Sequence, residues 1–406
     1  GNAGTVTNGV YTTDTGTVTS TMIANGTIVD ADINASAAIA NSKLANSSVT
    51  VTAGTGMSGG GSVSLGGSVT LTNAGVTSLN SSTGAKTLAS KGFKEFYTKH
   101  QHWLESYAAF CYCRDQYGTI DFNTWPKHNT YSESDFKSLV ESDASVKLIV
   151  EKYYFIQYLL DVQLREATAY AHENGVIVKG DIAIGVYRYG VDAWQHPGLF
   201  HMDMQAGAPP DDFAVAGQNW GFPTYNWEEM TTNGFAWWKQ RFEQMSVYFD
   251  AFRIDHILGF FRIWSIPMDA VEGILGHFVP AIPVHENELK ERGIHISAKE
   301  YAKPIITDKV LWDYFGYDNE VVKADFLIYD GFGKYTLKPA FATQRLVEKH
   351  FAALPKDDFN HKIKQGLFHV ISNVLFIEAK EKAYAGKNFF HLRFGIDNTA
   401  AFKALD

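Results

Sequence analysis

Two aspartates at the predicted ends of β-strands are well placed to do chemistry in this chain. Asp181 lies in the β-rich run 176–184, and Asp255 closes the run 249–255. Where strands and helices alternate around a barrel, reactive side chains lie at the carboxyl ends of strands and on the loops that follow them. The positions of both carboxylates therefore fit a functional site.

A long loop between these aspartates, roughly 186–233, is rich in aromatic residues, glycine and proline. Pyranose rings present apolar C–H faces that stack on aromatic rings, while their hydroxyls seek carboxylates and amides. The loop therefore favours a sugar-binding site, although an ordinary aromatic core beneath a long loop explains the same pattern. Its large aromatic residues are Trp194, Phe200, Phe213, Trp220, Phe222, Tyr225 and Trp227.

The elements that must position these residues can be read from the spacing of apolar side chains. Helical spacing begins at Lys91 and returns over 145–174 and 234–248, and each of the latter two segments leads into one of the strand-like runs. This order of helix, strand, long loop, helix and strand predicts an α/β fold, either a (β/α) barrel or a doubly wound sheet. Neither run is followed by a glycine-rich phosphate loop, which argues against the nucleotide-binding, doubly wound alternative.

Residues 1–85 differ sharply in composition from the rest of the chain. They hold one aromatic residue, Tyr11, out of 9 Trp, 20 Tyr and 28 Phe, and the near-repeat 60–65 and 66–71 alternates β-branched and turn residues. Such alternation predicts short strands in a low-complexity, β-rich, fibre-like segment, with a disordered linker as the alternative. The segment resembles phage tail-fibre and adhesin shafts, which implies possible trimerisation through 1–85.

Overall composition narrows the classes of partner. The net charge is −9 and no basic stripe occurs, so we expect no nucleic acid; no run of about 18 uncharged apolar residues occurs, so we expect no membrane span. Cys111 and Cys113 lie two apart on a predicted helix, where their side chains diverge, which suits a reducing, cytoplasmic compartment. The fibre-like segment leaves a virion location as the alternative.

We expect neither a cofactor nor a metal. His196, His201 and Asp203 are metal-ligand types close together, but nothing in their spacing imposes ligand geometry. They are interpreted as solvated loop residues.

Four long strings resemble glycoside hydrolase family 77, the 4-α-glucanotransferases, in the form found in Bacteroides-like bacteria and in the plant cytosolic disproportionating enzyme. The strings are 179–194, 205–213, 217–227 and 252–267, and the resemblance extends over about 86–406. It implies transfer of α-1,4-glucan segments between maltooligosaccharides, with retention of anomeric configuration, on a (β/α)8 barrel.

Composition and the family resemblance together suggest how the chain is divided. Composition sets apart a fibre-like or disordered segment over 1–85, and the resemblance implies a partial catalytic (β/α)8 barrel (TIM barrel) with long loop insertions over 86–267. A subgroup-specific insertion, itself truncated, is expected over 268–406 and includes the region around 331–335.

Residue roles follow from the resemblance position by position. Asp255 is expected to be the nucleophile that forms a glycosyl-enzyme intermediate, and Arg253, on the same face of the strand, to hold its carboxylate ionised. Asp181 is interpreted as a structural carboxylate that fixes the geometry of the strand end.

Four further residues are expected to bind substrate. Asp192 and His256 match positions that contact the sugar of the donor, while Gln218 and Trp220 match the loop that lines the path of the acceptor. The implied partners are α-1,4-glucans and maltooligosaccharides.

A retaining mechanism also needs an acid/base carboxyl group. The family places it in a Glu-Asp-Leu-Gly motif that this chain lacks, so the polypeptide alone is expected to be inactive. Glu378 follows an apolar run, but Ala379 to Lys382 read as a helix, which argues against it as the missing acid. Two alternatives remain open: a virion adhesin with a glucan-binding carboxyl-terminal part, and an α-amylase-like hydrolase.

Overall fold

The computed structural model describes residues 23–33, 39–53, 57–73 and 82–403. The chain divides into two compact units, Gly1–Gly84 and Ala85–Asp406. The division into three domains, including the boundary at 267, stays a prediction.

The described part of the first unit contains a small antiparallel sheet. Strands β1 (Ser48–Thr52), β2 (Met57–Ser64) and β3 (Leu71–Asn73) lie in the order β1-β2-β3. No side chain whose burial is described between 23 and 71 is buried, which follows from the scarcity of large apolar residues there. The fibre-like assembly and the trimerisation remain predictions.

Helices and short strands alternate from residue 82 onward, through the second unit and the three residues that precede it. The helices are α1 (Ser82–Ala89), α2 (Lys91–Tyr117), α3 (Glu133–Ser142), α4 (Ala144–Glu173), α5 (Val191–Gln195), α6 (Trp227–Thr232), α7 (Ala236–Met245), α8 (Glu286–Glu291), α9 (Ala298–Tyr301), α10 (Asp308–Phe315), α11 (Asn319–Phe326), α12 (Gln344–Ala352), α13 (Asp358–Ile371) and α14 (Ala400–Lys403). The strands are β4 (Lys179–Ile182), β5 (Phe200–His201), β6 (Met204–Ala208), β7 (Gln218–Asn219), β8 (Thr224–Tyr225), β9 (Ala251–Ile254), β10 (Ile263–Pro267), β11 (His277–Val279), β12 (Val284–His285), β13 (Ile306–Thr307), β14 (Leu327–Gly331), β15 (Lys334–Leu337), β16 (Phe376–Glu378) and β17 (Phe389–Leu392).

The two long helices form where helical spacing predicts them, and their ends have clear causes. Ser90 caps α2 by accepting a hydrogen bond from the backbone of Phe93, and Asp143 caps α4 in the same way. Beyond α4, Gly175 adopts a positive φ of 71°, which a glycine tolerates and which ends the helix. The two helices pack against each other and carry much of one hydrophobic core, with Leu104 and Val150 fully buried.

Strands β4 and β9 pair in parallel, with Asp181 opposite Arg253. Both are shorter than the predicted runs 176–184 and 249–255. Among the described residues this is the one parallel pair; the other sheets are antiparallel, in the orders β11-β10-β6-β7, β12-β17-β16, β13-β15-β14 and β5-β8. The unit is thus a mixed α/β structure, and its described strands form no closed barrel.

A second hydrophobic core lies under α10 to α13, around Phe315, Val347 and Leu367. Beyond it, the helix predicted for Ala379 to Lys382 is wrong. The chain instead forms the hairpin β16–β17, in which the Ala379 N–H donates to the carbonyl of Phe389. The turn contains Gly386 at a positive φ of 70°, which favours reversal over helix.

Within the part of the chain that the structure describes, every helix is too short or too polar to cross a bilayer.

Candidate functional site

A cleft of about 750 Å³ opens where β4 and β9 end. Its walls come from the segment after β4, from the loop around Trp220, from Asp255, and from the distant helix α12. The lining residues are Ala183, Ile184, Gly185, Val186, Tyr187, Arg188, Tyr189, Gln205, Trp220, Gly221, Phe222, Asp255, Met268 and Arg345.

Asp255 is held at the floor of this cleft by the parallel pair. It directly follows β9, and its backbone N–H donates to the carbonyl of Ile182 on β4 at 3.1 Å. Its side chain is 53% exposed, and it is the one carboxylate among the described residues that line the cleft. A ligand bound in the cleft would therefore meet an exposed carboxylate oxygen.

Arg253 links the two aspartates. Its guanidinium binds the Asp181 carboxylate through two hydrogen bonds, Nε–Oδ1 at 3.1 Å and Nη2–Oδ2 at 2.5 Å, while Nη2 lies 3.7 Å from Oδ1 of Asp255. The expected pair of Arg253 and Asp255 thus exists, but the closer partner of the arginine is Asp181. The hydrogen bonds from Arg253 hold the pKa of Asp181 below its usual range.

One edge of the cleft brings together His256, Trp220 and Gln218. The His256 ring packs edge-on against Trp220 with ring centroids 5.0 Å apart, and Trp220 also stacks on Phe222 at 5.7 Å. The Trp220 Nε1–H donates to Oε1 of Gln218 at 3.0 Å, which orients the indole. His256 has a positive φ of 48°, an uncommon backbone state that turns the chain sharply after Asp255.

Asp192 lies apart from these residues. It is in the short helix α5, its Oδ1 accepts a hydrogen bond from Nε1 of Trp237 at 2.9 Å, and it does not line the cleft around Asp255. The structure therefore groups Asp255, Arg253, His256, Trp220 and Gln218, with Asp192 apart from them. The roles of all six residues stay predictions.

The sequence analysis missed three polar residues of the cleft, Arg188, Gln205 and Arg345. Arg188 is buried and donates to the carbonyls of Met202, Met204 and Gly221, so it holds the two arms of the loop together. Arg345, on α12, donates to Oε1 of Gln205 at 3.1 Å. Arg188 stands inside the quoted string 179–194, but nothing local in the sequence signals that Arg345 reaches this site.

The candidate metal ligands of the loop do not assemble. His196, His201 and Asp203 belong to no cluster of potential metal ligands in the described residues, whereas His277, Glu381 and His391 form one elsewhere. Glu378 is exposed and lines a different cleft from Asp255.

Comparison with known proteins identifies a family whose sequence profile this chain matches. A family profile described as 4-alpha-glucanotransferase (glycoside hydrolase family 77) matches residues 21–376. The match begins inside the segment predicted to be fibre-like.

Curated relatives show the same likeness. The 4-alpha-glucanotransferase DPE2 of Oryza sativa subsp. japonica is 39% identical over 328 residues, which is 79% of this chain and 34% of the rice protein. The 4-alpha-glucanotransferase of Synechocystis sp. is 34% identical over 196 residues, 47% of this chain and 38% of that protein. This chain thus spans little more than a third of the length of these two relatives.

A solved amylomaltase from Streptococcus agalactiae in complex with acarbose gives a TM-score of 0.44 at 20% identity, covering 80% of this chain and 74% of that one. That likeness is too weak to bear on the fold. The family profile, in contrast, covers well over half of the sequence. The chain belongs to the 4-alpha-glucanotransferase family, glycoside hydrolase family 77.

Proposed function

We propose that this chain carries the nucleophile half of a 4-α-glucanotransferase site, which transfers α-1,4-glucan segments between maltooligosaccharides with retention. The observation that carries the proposal is the placement of Asp255. Its carboxylate lies at the end of a parallel strand pair, 3.7 Å from a guanidinium, in a cleft with an aromatic wall. The family match supports the reaction class.

In this reaction an oxygen of Asp255 attacks the anomeric carbon of the donor, and the bond to the leaving glycosidic oxygen breaks. The leaving oxygen takes a proton from an acid. An acceptor hydroxyl later displaces Asp255 from the same carbon and gives its proton to the conjugate base of that acid. Arg253 hydrogen-bonds Asp181 and lies 3.7 Å from Asp255, so its positive charge is close to both carboxylates. Asp181 accepts hydrogen bonds from two nitrogens of Arg253 and is a positioning residue that keeps this guanidinium beside β9.

Substrate contacts follow from the cleft walls. Trp220, oriented by Gln218 and flanked by His256, offers a surface on which an acceptor pyranose can stack. Asp192 would contact the donor sugar only if the segment after β4 closed over the cleft, because it now bonds to Trp237.

Strands β4 and β9 are proposed to be neighbours in a partial (β/α)8 barrel whose antiparallel sheets are loop insertions. Their parallel pairing and the position of Asp255 after β9 support this arrangement. A cytoplasmic location is likewise proposed, supported by two free cysteines, Cys111 and Cys113. The virion-adhesin and α-amylase-like alternatives gain no support from the family match.

The acid of the retaining mechanism should lie about 5–5.5 Å from the nucleophile. Since Asp255 is the one carboxylate among the described residues that line the cleft, we propose that this polypeptide alone does not cleave natural glucans.

α-Maltosyl fluoride tests both parts of the proposal, because fluoride departs without the help of an acid. We expect fluoride release from this donor and no glucose release from maltotriose. Glucose from maltotriose would contradict the missing acid. Equal rates of fluoride release from the unaltered chain and from Asp255→Ala would contradict the assignment of Asp255 as the nucleophile.

A further inference from the structure

A cluster of two histidines and one glutamate lies away from the Asp255 cleft, in the segment predicted to be an insertion. His277 begins β11, His391 lies on β17, and Glu381 lies in the turn that joins β16 to β17. One oxygen of Glu381, Oε1, is 3.2 Å from Nε2 of His277 and 2.7 Å from Nε2 of His391. The two imidazole rings face each other with centroids 4.0 Å apart.

Burial makes this cluster unusual. The histidine side chains are only 9% and 6% exposed, and that of Glu381 is 26% exposed. The cluster therefore lies mostly inside the protein, with Glu381 as its most exposed member.

The hydrogen bonding of the cluster is incomplete. Across the described residues, four buried side-chain polar atoms lack a partner, and two of them are here: Nδ1 of His277 and Oε2 of Glu381. Buried polar atoms nearly always have partners, so the unpartnered Oε2 in this cluster indicates a missing one. Oε2 is a carboxylate oxygen of the cluster itself, and a cation would satisfy it. His277 Nδ1 is on the opposite side of its ring from Nε2, so the same ion does not reach it.

We propose that His277, Glu381 and His391 form a Zn²⁺ site. Two imidazole nitrogens and one carboxylate oxygen are a ligand set that zinc uses with water in the fourth position, whereas calcium and magnesium prefer oxygen ligands alone. The three ligand atoms lie within 4.8 Å of one another. Bonds of 2.0–2.2 Å in a tetrahedron place ligand atoms about 3.3 Å apart, so small side-chain shifts admit the ion.

The site has an entry path and a structural consequence. His277 lines a cleft of about 330 Å³, from which an ion can reach the cluster. It belongs to the sheet β11-β10-β6-β7, while Glu381 and His391 belong to the β16–β17 hairpin. Bound zinc would fasten this hairpin to the sheet whose far strand, β7, carries Gln218.

Zinc binding is tested on the full chain after removal of metals with a chelator. Calorimetric titration with zinc chloride, together with elemental analysis after dialysis, should give one zinc per chain and a higher Tm, because an ion that binds only the folded state stabilises it. His391→Gln and Glu381→Gln should lose the bound zinc and the zinc-dependent rise in Tm. Two matched controls, His361→Gln and Glu291→Gln, change exposed residues of the same types that line no part of the entry cleft, and should retain both.

A measurement on the unaltered protein guards against variants that misfold. X-ray absorption at the zinc edge should show two imidazole nitrogens and oxygen ligands at about 2.0–2.2 Å. The proposed site would be overturned if the zinc had oxygen ligands alone and bound the unaltered protein no more tightly than a His277→Gln/His391→Gln double variant. So would the absence of any zinc-dependent change in Tm. None of these readouts depends on transferase activity.

Discussion

At the scale of single residues, Arg253 is the centre of the proposed site because its guanidinium lies beside both aspartates, Asp181 on β4 and Asp255 directly after β9. Its two short bonds go to Asp181, and Asp255 lies at a longer 3.7 Å. This arrangement leaves the Asp255 oxygens less engaged than those of Asp181. A nucleophile benefits from that freedom, while its neighbour fixes the cation.

The titration of Asp181 should report this arrangement. Its pKa is lowered in the folded protein by hydrogen bonds from Arg253, so the stabilising contribution of the pair is present above the unfolded pKa of about 3.9 and is lost as pH falls through the lower folded pKa. In Arg253→Gln, we expect the pKa of Asp181 to rise toward about 3.9. Carboxyl-carbon NMR measures this pKa over about pH 2–6, roughly the range in which carboxyl groups titrate. The signal of Asp181 is assigned by its absence from the spectrum of Asp181→Asn.

Arg262→Gln serves as the control, because this substitution removes a positive charge elsewhere, at a side chain that packs over the ring of Phe278. An Asp181 pKa that is unchanged in Arg253→Gln would show that Arg253 is not the cause of the shift.

Gly185 illustrates how closely the cleft wall is packed. A Cβ atom there would lie 2.4 Å from the ring of Phe222, on which Trp220 stacks. Gly185→Ala should therefore lower the free energy of unfolding by about 1–3 kcal/mol, typical of overpacking, and weaken maltooligosaccharide binding. Urea unfolding and calorimetry measure the two effects.

The matched control is Gly198→Ala, in the same loop, where a Cβ would meet nothing within 4 Å. Equal losses of stability in the two variants would contradict this account of the packing.

At the scale of elements, helix α12 is joined to the cleft by a buried glutamine. Gln344 is fully buried; its Oε1 accepts from the backbones of Val271 and Glu272, and its Nε2 donates to Glu272 and to the carbonyl of Phe368. The next residue, Arg345, reaches Gln205 in the cleft. One turn of α12 thus ties the second hydrophobic core to the wall of the site.

Gln344→Ala leaves several of these buried groups without partners. Each such group costs about 1–3 kcal/mol, so we expect a loss of at least about 1 kcal/mol in the free energy of unfolding. Lys349→Ala, at an exposed position of the same helix, should change little. Chemical denaturation compares the two variants, and similar midpoints would argue against the anchoring role of Gln344.

Periodicity explains which elements could be predicted from the sequence. Helix α4 and the strand that carries Arg253 have strong local patterns, and they form close to the predicted positions. The turn at Glu381 lacks such a pattern, because the same short, charged stretch suits either a helix or a hairpin. The pairing of β16 with β17 determines that a hairpin forms. Arg345 was missed for a related reason: it contacts Gln205 across 140 residues of sequence, and only the packing of α12 brings them together.

At the scale of the whole molecule, the chain has two units of very different composition. The first has no buried side chain among those described between 23 and 71, whereas the second holds several hydrophobic cores. Stability should therefore reside in Ala85–Asp406.

Removal of 1–84 tests this expectation. Residues 85–406 alone should unfold with the same Tm and the same enthalpy as the full chain, because apolar burial dominates both quantities. Differential scanning calorimetry measures them. A clear fall in Tm would show that the first unit contributes to the stability of the second.

The identity of the nucleophile is the central claim. A fluorinated α-maltosyl fluoride, whose ring fluorine slows breakdown of a covalent intermediate, should label the protein once, and peptide mapping by mass spectrometry should place the maltosyl group on Asp255. Asp255→Asn should remain unlabelled, while Glu378→Gln should label as the unaltered protein does. A label on Asp181 or any other residue, or no label at all on the unaltered chain, would contradict the account.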